Sequence, residues 1–195
     1  MTTSIISQPR PLTLEEYLAY DDGMDTRYEL EDGILVEMPT ESPENISIAR
    51  RLLLEFIKYV AAELVVWGTE VEVSGRQAKV RIPDLLVHSP ASLAALAGAT
   101  RSTLTHSMPP PALVVEVVSP GEQNRNRDYR YKHTEYAARE IAEYWIVDPE
   151  LQQLTVCKWV EGKYEDTIFS GKQIINSEVV ADWQLTIEQI FPQTI

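Results

Sequence analysis

The chain has 195 residues, of which 44% are hydrophobic and 24% charged, values typical of a globular protein, and its length is enough for one core and marginal for two. Its net charge of −13 argues against a partner such as nucleic acid, because proteins that bind polyanions usually carry a basic surface. The sequence shows no apolar run of membrane-spanning length, no signal peptide and one cysteine, so we expect a cytoplasmic protein with no membrane contact and no internal disulfide.

The first half of the chain predicts two helices separated by a hairpin. Thr13–Glu16 has the form of a capping box, which favours a short helix directly after it. Asp32-Gly33 separates two short strand-like segments and predicts a tight turn between them. Apolar residues then recur at helical spacing, which predicts a helix from Pro43 to Leu64. Short strands are expected over residues 70–73, 77–81 and 85–88.

The second half predicts mainly strands around one further helix. Residues 89–111 are expected to form a loop with a turn of helix inside it, and residues 111–119 an apolar strand. We expect Glu143 and Asp148, at the ends of the following strand, to face solvent. The remaining predicted elements are a helix over 126–141, strands over 143–148, 154–160, 163–169 and near 179–180, and a short helix over 186–191.

Two acidic residues stand in strands that are otherwise apolar. Asp84 follows Pro83 and precedes Leu85, and Glu116 interrupts a run of valines. A strand this apolar should be covered on both faces, so each carboxylate loses its hydration unless a partner compensates. A hard cation held through oxygen is one such partner. A capping role for Asp84, and an ion pair without metal for Glu116, are the alternatives.

The predicted helix after the second acidic strand is rich in cations. Tyr129, Lys132 and Tyr136 lie at positions i, i+3 and i+7, so they share a helix face that is expected to turn toward the sheet. Lys132 could also pair with Asp128, one turn earlier. Three arginines of this region either bind phosphate or form a solvated face that balances nearby acids: Arg125, Arg127 and Arg130.

Six segments, in order, resemble those of the Uma family, a bacterial group assigned to the restriction endonucleases of the PD-(D/E)XK superfamily. They are Tyr28–Gly33, Met38–Thr40, Ile82–Asp84, Val115–Pro120, Lys132 with Tyr136, and Glu143–Pro149. The resemblance covers about residues 12–170 of a single expected domain, 1–195. It implies an α/β (α+β) fold with a restriction-endonuclease-like mixed central β-sheet flanked by helices, and we expect an extra C-terminal β-hairpin.

The resemblance further implies an endonuclease that hydrolyses DNA phosphodiester bonds with Mg²⁺ or Mn²⁺. Asp84 and Glu116 would be the metal ligands and, with Lys132, the catalytic residues. The superfamily signature places its lysine two residues after the second acid, where this chain has Val118, so Lys132 is expected to replace it. Accessory residues are expected at Glu29 and Asn45, and substrate-binding residues at Arg125, Arg127 and Arg130.

Two other functions fit the same sequence. Val118 and the charge of −13 favour a non-catalytic module that binds nucleic acid or protein through a degenerate site on the same fold. The predicted hairpin over residues 154–169 favours self-association through its edge, and a homodimer is compatible with the nuclease as well. Because few phosphates can be neutralised, weak non-specific affinity for DNA is expected in every case.

Overall fold

A computed structural model describes residues 10–24 and 26–191 of the chain. In chain order, its elements are α1 (Leu14–Leu18), β1 (Tyr28–Glu31), β2 (Ile34–Glu37), α2 (Pro43–Phe56), a 3₁₀ turn (Ala62–Leu64), β3 (Val65–Val66), β4 (Glu70–Glu72), β5 (Val80–Arg81), β6 (Leu85–Val87), α3 (Pro90–Ala95), β7 (Thr103–Leu104), β8 (Leu113–Val117), α4 (Glu122–Asn126), a π-helical segment (Arg127–Lys132), α5 (His133–Ala138), β9 (Glu143–Asp148), β10 (Gln153–Val160), β11 (Lys163–Ser170) and α6 (Ile187–Ile190).

A mixed sheet of six strands forms the centre of the fold, in the order β11-β10-β9-β8-β6-β3. Strands β8 and β9 run parallel, whereas the other neighbours are antiparallel. Side chains of β8 alternate between two cores, with Val115 packing among residues of α2 and Val114 among residues of α5. The predicted mixed sheet, with a helix on each face, is therefore confirmed, and the C-terminal hairpin β10–β11 extends its edge.

A second sheet of five strands, in the order β2-β1-β5-β4-β7, was not expected from the sequence. Among the described strands, five connections cross between the two sheets, and two of them are only three residues long. Residues 67–69 connect β3 of the large sheet to β4 of the small one, and residues 82–84 connect β5 of the small sheet to β6 of the large one. Trp67 and Asp84 therefore both lie at the junction of the sheets.

Local sequence signals confirm the first helix and the hairpin. The Thr13 hydroxyl accepts a hydrogen bond from the Glu16 N–H, and the Thr13 N–H donates to the Glu16 carboxylate, which completes the capping box of α1. At the hairpin, Asp32 and Gly33 both have positive φ angles, 49° and 84°. That combination is the conformation of a type I′ turn, the turn that Asp-Gly favours.

Three predicted elements differ from those in the structure. Helix α2 ends at Phe56 instead of continuing to residue 64, because Val60 and Leu64 reach the same core from a turn and the 3₁₀ turn. The helix predicted over 126–141 begins earlier, at Glu122, and its last α-helical segment ends at Ala138. The strand expected near residue 180 is absent: Val180 is buried, and its N–H donates to the Ser177 side chain rather than to a neighbouring strand.

Glu143 and Asp148 do not face solvent as expected; their exposed fractions are 2% and 0%. Glu143 accepts hydrogen bonds from Trp145 Nε1 at 2.9 Å and from the Ser177 hydroxyl at 2.7 Å, so its burial is compensated by local donors. Across the two described ranges, no helix combines the length and the apolar composition that crossing a membrane requires.

Candidate active site

The two acids singled out in the sequence lie on neighbouring strands. Antiparallel pairing of β6 with β8 sets Leu85 opposite Val115, so one residue further along places Asp84 opposite Glu116. Residues opposite each other in such a pair point to the same face of the sheet. The Asp84 carboxylate also accepts a hydrogen bond from the N–H of Val117 at 2.6 Å. The Asp84 carboxylate therefore joins the segment just before β6 to the end of β8.

Lys132 reaches the same point from the helical layer. Its Nζ lies 2.7 Å from Oε1 of Glu116, and the Tyr136 hydroxyl donates to that oxygen at 2.7 Å. Lys132 Nζ is also 3.7 Å from carboxylate oxygens of Glu29 and Asp128. The buried ammonium therefore faces three carboxylates and lies closest to Glu116.

A π-helical segment, Arg127–Lys132, orients these groups. A π-helix closes its hydrogen bonds one residue later than an α-helix, which rotates the following side chains relative to a regular helix, and such segments are frequent at functional sites. Within this segment Asp128 and Lys132 are both buried, with exposed fractions of 1% and 2%, while Tyr131 is 62% exposed. The widened turn thus brings one acid and one lysine into the interior.

Glu29, an accessory candidate, lies on β1 and anchors the site to the small sheet. Its carboxylate accepts a hydrogen bond from the N–H of Ile82 at 3.1 Å and from the Arg81 guanidinium at 3.0 Å. Because Ile82 lies two residues before Asp84, Glu29 holds the crossover that carries Asp84. It also contributes negative charge to the environment of Lys132.

Arg81 is a central residue that was not among the candidates predicted from the sequence. Its side chain is 2% exposed, and its guanidinium binds both carboxylate oxygens of Glu135 at 2.8 and 2.9 Å as well as contacting Glu31 and Glu29. Glu135 also accepts from Lys79 at 2.9 Å. The signal was present, since an arginine in the apolar run before Asp84 is as unusual as an acid there.

Asn45, the other accessory candidate, lies in the first turn of α2 and is buried. Its Nδ2 is 3.2 Å from the carbonyl oxygen of Val117, 3.3 Å from the Ser119 hydroxyl and 3.3 Å from Oε2 of Glu41. Asn45 therefore fixes the chain just after Glu116. The same contacts identify Glu41 as a further acid near Asp84, one that no sequence pattern had indicated.

The structure separates the three candidate arginines. Arg125 pairs with Asp148 and, at 3.0 Å, with Glu150, which directs it away from Glu116. Arg127 Nε lies 3.3 Å from Oδ1 of Asp128, which joins this partly exposed side chain to the buried ion pairs. Arg130 is exposed. We name the group around Lys132 the acid–lysine cluster; its buried members are Glu29, Glu116, Asp128 and Lys132, and its partly exposed members are Asp84 and Arg127.

Negative charge dominates the acid–lysine cluster. Burial raises the pKa of Asp84 to about 6, although the Val117 N–H and Lys132 oppose the shift. Burial likewise raises the pKa of Glu116 to about 8 against the attraction of Lys132, and Asp84 and Asp128 add to the rise. Burial alone lowers the pKa of Lys132, but Glu116, Glu29 and Asp128 bring it above its ordinary value. The lysine is therefore charged, and its charge does not offset the effect of burial on the pKa values of Asp84 and Glu116.

A cavity of about 670 Å³ opens beside the acid–lysine cluster, at the junction of the two sheets. Asp84 and Pro83 lie on one wall, and the first three turns of α2 form another. Trp67 contributes to the lining from the connection between β3 and β4. The segment from Glu37 to Glu41 completes the lining. Asp84 is therefore reachable from outside through this cavity.

A second group of side chains of the kinds that bind metals lies between α5 and the β10–β11 hairpin, where the sequence had not indicated a metal site. Cys157 and Asp166 are opposite each other on β10 and β11, and their ligand atoms and that of His133 lie within 4.8 Å of one another. His133 Nε2 already lies 2.9 Å from Asp166, and burial raises the pKa of the Cys157 thiol far above its usual range. The three groups thus satisfy each other as a hydrogen-bonded cluster, with the thiol protonated.

Comparison with protein families matches residues 14–188 to Uma2, described as "putative restriction endonuclease". The chain belongs to the Uma2 family. No curated protein matches the chain. Among solved structures, it is similar to a "putative nuclease belonging to DUF820" from Anabaena variabilis, with a TM-score of 0.69, 14% sequence identity, and coverage of 93% of this chain and 98% of the other. At that identity the likeness establishes the shared fold, and for the Uma2 chain it confirms the restriction-endonuclease-like architecture expected from the six segments.

Proposed function

We propose that the protein hydrolyses phosphodiester bonds of DNA with the help of Mg²⁺ or Mn²⁺. One observation carries the proposal: Lys132 Nζ lies 2.7 Å from Glu116, and Glu116 faces Asp84 across the β6–β8 pair. Two acids near the ends of adjacent strands, with a lysine from the helical layer beside them, are the group of residues that the family resemblance implies. Membership of the family described as restriction endonucleases supports the same reaction.

The acid–lysine cluster fits a divalent cation. Its donors are carboxylate oxygens, the ligands that Mg²⁺ prefers. Among the described side chains, Asp128 Oδ2 is a buried oxygen that accepts no hydrogen bond, and burial raises the pKa values of Asp84 and Glu116 despite the nearby Lys132. Asp84 and Glu116 would hold the ion. A bound ion supplies Lewis-acid stabilisation of the phosphate and a more acidic water.

Lys132 is the proposed catalytic cation. A lysine ammonium is a compact charge with three donors, suited to stabilising the negative charge that grows on phosphate oxygens during hydrolysis. Tyr136 is not proposed as the catalytic cation, because its side chain is uncharged and its hydroxyl donates to the Glu116 carboxylate. Glu29, which also contacts Arg81 and the Ile82 N–H, is proposed to position Lys132.

Cleavage assays test the proposal. Supercoiled plasmid and single-stranded DNA are incubated with the wild-type chain in Mg²⁺, in Mn²⁺ and in EDTA, beside Glu116→Ala and the control Glu165→Ala, whose side chain is exposed on β11. We expect cleavage by the wild type and the control, and none in EDTA or by Glu116→Ala. Cleavage that survives in Glu116→Ala, or a folded wild type inactive with both metals, contradicts the proposal.

A non-catalytic binding module is the second candidate, and Val118 favours it. Val118 is 4% exposed and packs in the core with Tyr136, so no cation occupies the position that the superfamily signature gives to lysine. Isothermal titration with Mg²⁺ and Mn²⁺ separates the two candidates. Binding that is lost in Asp84→Asn supports the hydrolase, whereas a wild type that binds neither ion supports the module.

A homodimer remains part of the proposal, because cleavage of both strands of a duplex commonly uses two sites. Strand β2 is one edge of the small sheet and β11 one edge of the large sheet, and they expose Ile34, Val36 and Ile168. Edge strands with exposed apolar residues can pair with a second chain. Light scattering that shows a monomer at every concentration removes the dimer. The cytoplasmic location stays a prediction from the sequence.

A further inference from the structure

The cavity beside Asp84 has the composition of a site for a flat, uncharged group. Apolar side chains cover much of its wall, from α2 and from the crossover before β6: Ile46, Ala49, Leu53, Ile82, Pro83 and Leu85. Its volume of about 670 Å³ is that of small-molecule pockets, which are typically about 300–1,000 Å³. A phosphate group alone would leave most of this apolar wall without a contact.

Trp67 is the aromatic residue of this cavity, and it is unusually exposed. Its exposed fraction is 69%, whereas Trp145 and Trp183 are at 0% and 3%. The neighbouring Gly68 has a φ of 80°, a conformation that most L residues avoid, so the crossover turns sharply directly after the ring. An exposed indole on a sharp turn, at the entrance of an apolar cavity, can stack on a planar ligand.

Charges around the cavity define where a phosphate can lie. Arg27 and Arg50 are its cations, and both are exposed. Glu37 and Glu41 oppose a phosphate beside them, while an uncharged base is unaffected by their sign. The two arginines are thus suited to a phosphate backbone outside, and the apolar wall to a base inside.

We infer that this cavity binds a single unpaired nucleobase of single-stranded nucleic acid, stacked on Trp67, next to the bond that is cleaved. The inference rests on the proposed function, because Asp84 lies both on the cavity wall and opposite Glu116. Duplex bases are stacked and paired, and a base must leave the helix to enter a pocket. Stacking on an aromatic ring accepts every base, so the site selects unpaired strands rather than a sequence.

Binding is measured in EDTA, which removes the metal that the proposed hydrolysis requires. The probes are fluorescein-labelled oligothymidylate, oligouridylate of the same length, and the duplex of oligothymidylate with oligodeoxyadenylate, each followed by anisotropy with the full chain. Trp67→Ala removes the ring, Trp67→Phe keeps an aromatic face, and Leu151→Ala removes an exposed apolar side chain from the turn between β9 and β10. Thermal melts confirm that all variants are folded.

We expect the single strands to bind at least about tenfold more tightly than the duplex, and Trp67→Ala to lose about tenfold or more of that affinity, since one stacked base accounts for this range. Trp67→Phe and Leu151→Ala should stay near the wild type. Unlabelled oligothymidylate should quench the tryptophan emission of the wild type and not that of Trp67→Phe. The comparison of oligothymidylate with oligouridylate tells whether the strand is DNA or RNA.

Equal affinity for duplex and single strands overturns the inference, and so does Trp67→Ala that binds as tightly as the wild type. Failure of the proposed hydrolysis has a different signature: no metal-dependent cleavage of the plasmid or of single-stranded DNA, with binding in EDTA still dependent on Trp67. The two results are therefore distinguishable on the same preparations.

Discussion

Lys132 Nζ lies 2.7 Å from Oε1 of Glu116, and the two side chains are only 3% and 5% exposed. The ammonium comes from the helical layer, not from the strand that carries the acid. Val118, two residues after Glu116, is in the apolar core instead. This geometry supports the proposal that Lys132 takes the role of the lysine that the signature places at the position of Val118.

Replacing Lys132 by Met is expected to destabilise the protein as well as abolish cleavage. Removal of one partner from a buried ion pair typically costs about 3–5 kcal/mol, because the remaining charge is left without compensation. Urea unfolding of Lys132→Met measures the loss. The double variant Lys132→Met with Glu116→Gln should recover part of it, since a neutral amide still meets the Tyr136 hydroxyl.

The control for this pair is Lys158→Met, which removes a surface partner of Glu178 at 3.3 Å. Exposed ion pairs contribute about 0–1 kcal/mol, so its unfolding midpoint should hardly change. Equal destabilisation by both lysine variants would mean that the Lys132–Glu116 contact has no special weight.

Mg²⁺ or Mn²⁺ should raise the melting temperature of the wild type. A ligand that binds only the folded state stabilises it by about 2.7 kcal/mol at a concentration of 100 times its Kd. Asp84→Asn keeps the size of the side chain and loses the charge that would hold the ion, so its melting temperature should not respond. Samples in EDTA provide the baseline, and a response in Asp84→Asn equal to that of the wild type would place the ion elsewhere.

Arg81→Met should be among the most destabilising single changes in the chain. The substitution leaves Glu29 and Glu135 without their guanidinium in the interior, and loss of a buried ionic partner typically costs about 3–5 kcal/mol. Arg76→Met is the matched control, because that side chain is 92% exposed. Denaturant unfolding compares the two, and similar free energies for both variants would refute a structural role for Arg81.

The parts of the fold that were predictable from sequence are those fixed by local chemistry. Asp32-Gly33 determines its own turn, and Thr13 and Glu16 cap their own helix. The prediction that α2 continues to residue 64 was wrong, because the spacing of apolar residues shows which side chains reach the core and not whether the backbone between them is helical. Val60 and Leu64 keep the spacing and leave the helix.

The candidate site was predictable where a residue conflicts with its own neighbours. Asp84 and Glu116 conflict with apolar strands, so they stand out without a structure. Glu135 and Asp128 do not, since acids are ordinary in helices; only the π-helical segment and the second sheet bring them to the interior. Arg81 conflicts with its strand as clearly as Asp84 does, so its burial could have been predicted by the same reasoning.

The three arginines give a final prediction, because the structure assigns them different partners. Arg125 is already paired with the buried Asp148 and with Glu150, so Arg125→Ala should lower the unfolding free energy by about 1–3 kcal/mol, the cost of a buried group that loses its partner. The salt dependence of oligonucleotide binding should not change in this variant.

Arg130 is exposed, and Arg130→Ala should have little effect on stability. If Arg130 contacts a phosphate, its loss lowers the slope of log K against log salt by about 1. Anisotropy titrations over a series of KCl concentrations measure both slopes, and an unchanged slope for Arg130→Ala together with a reduced one for Arg125→Ala would reverse the assignment.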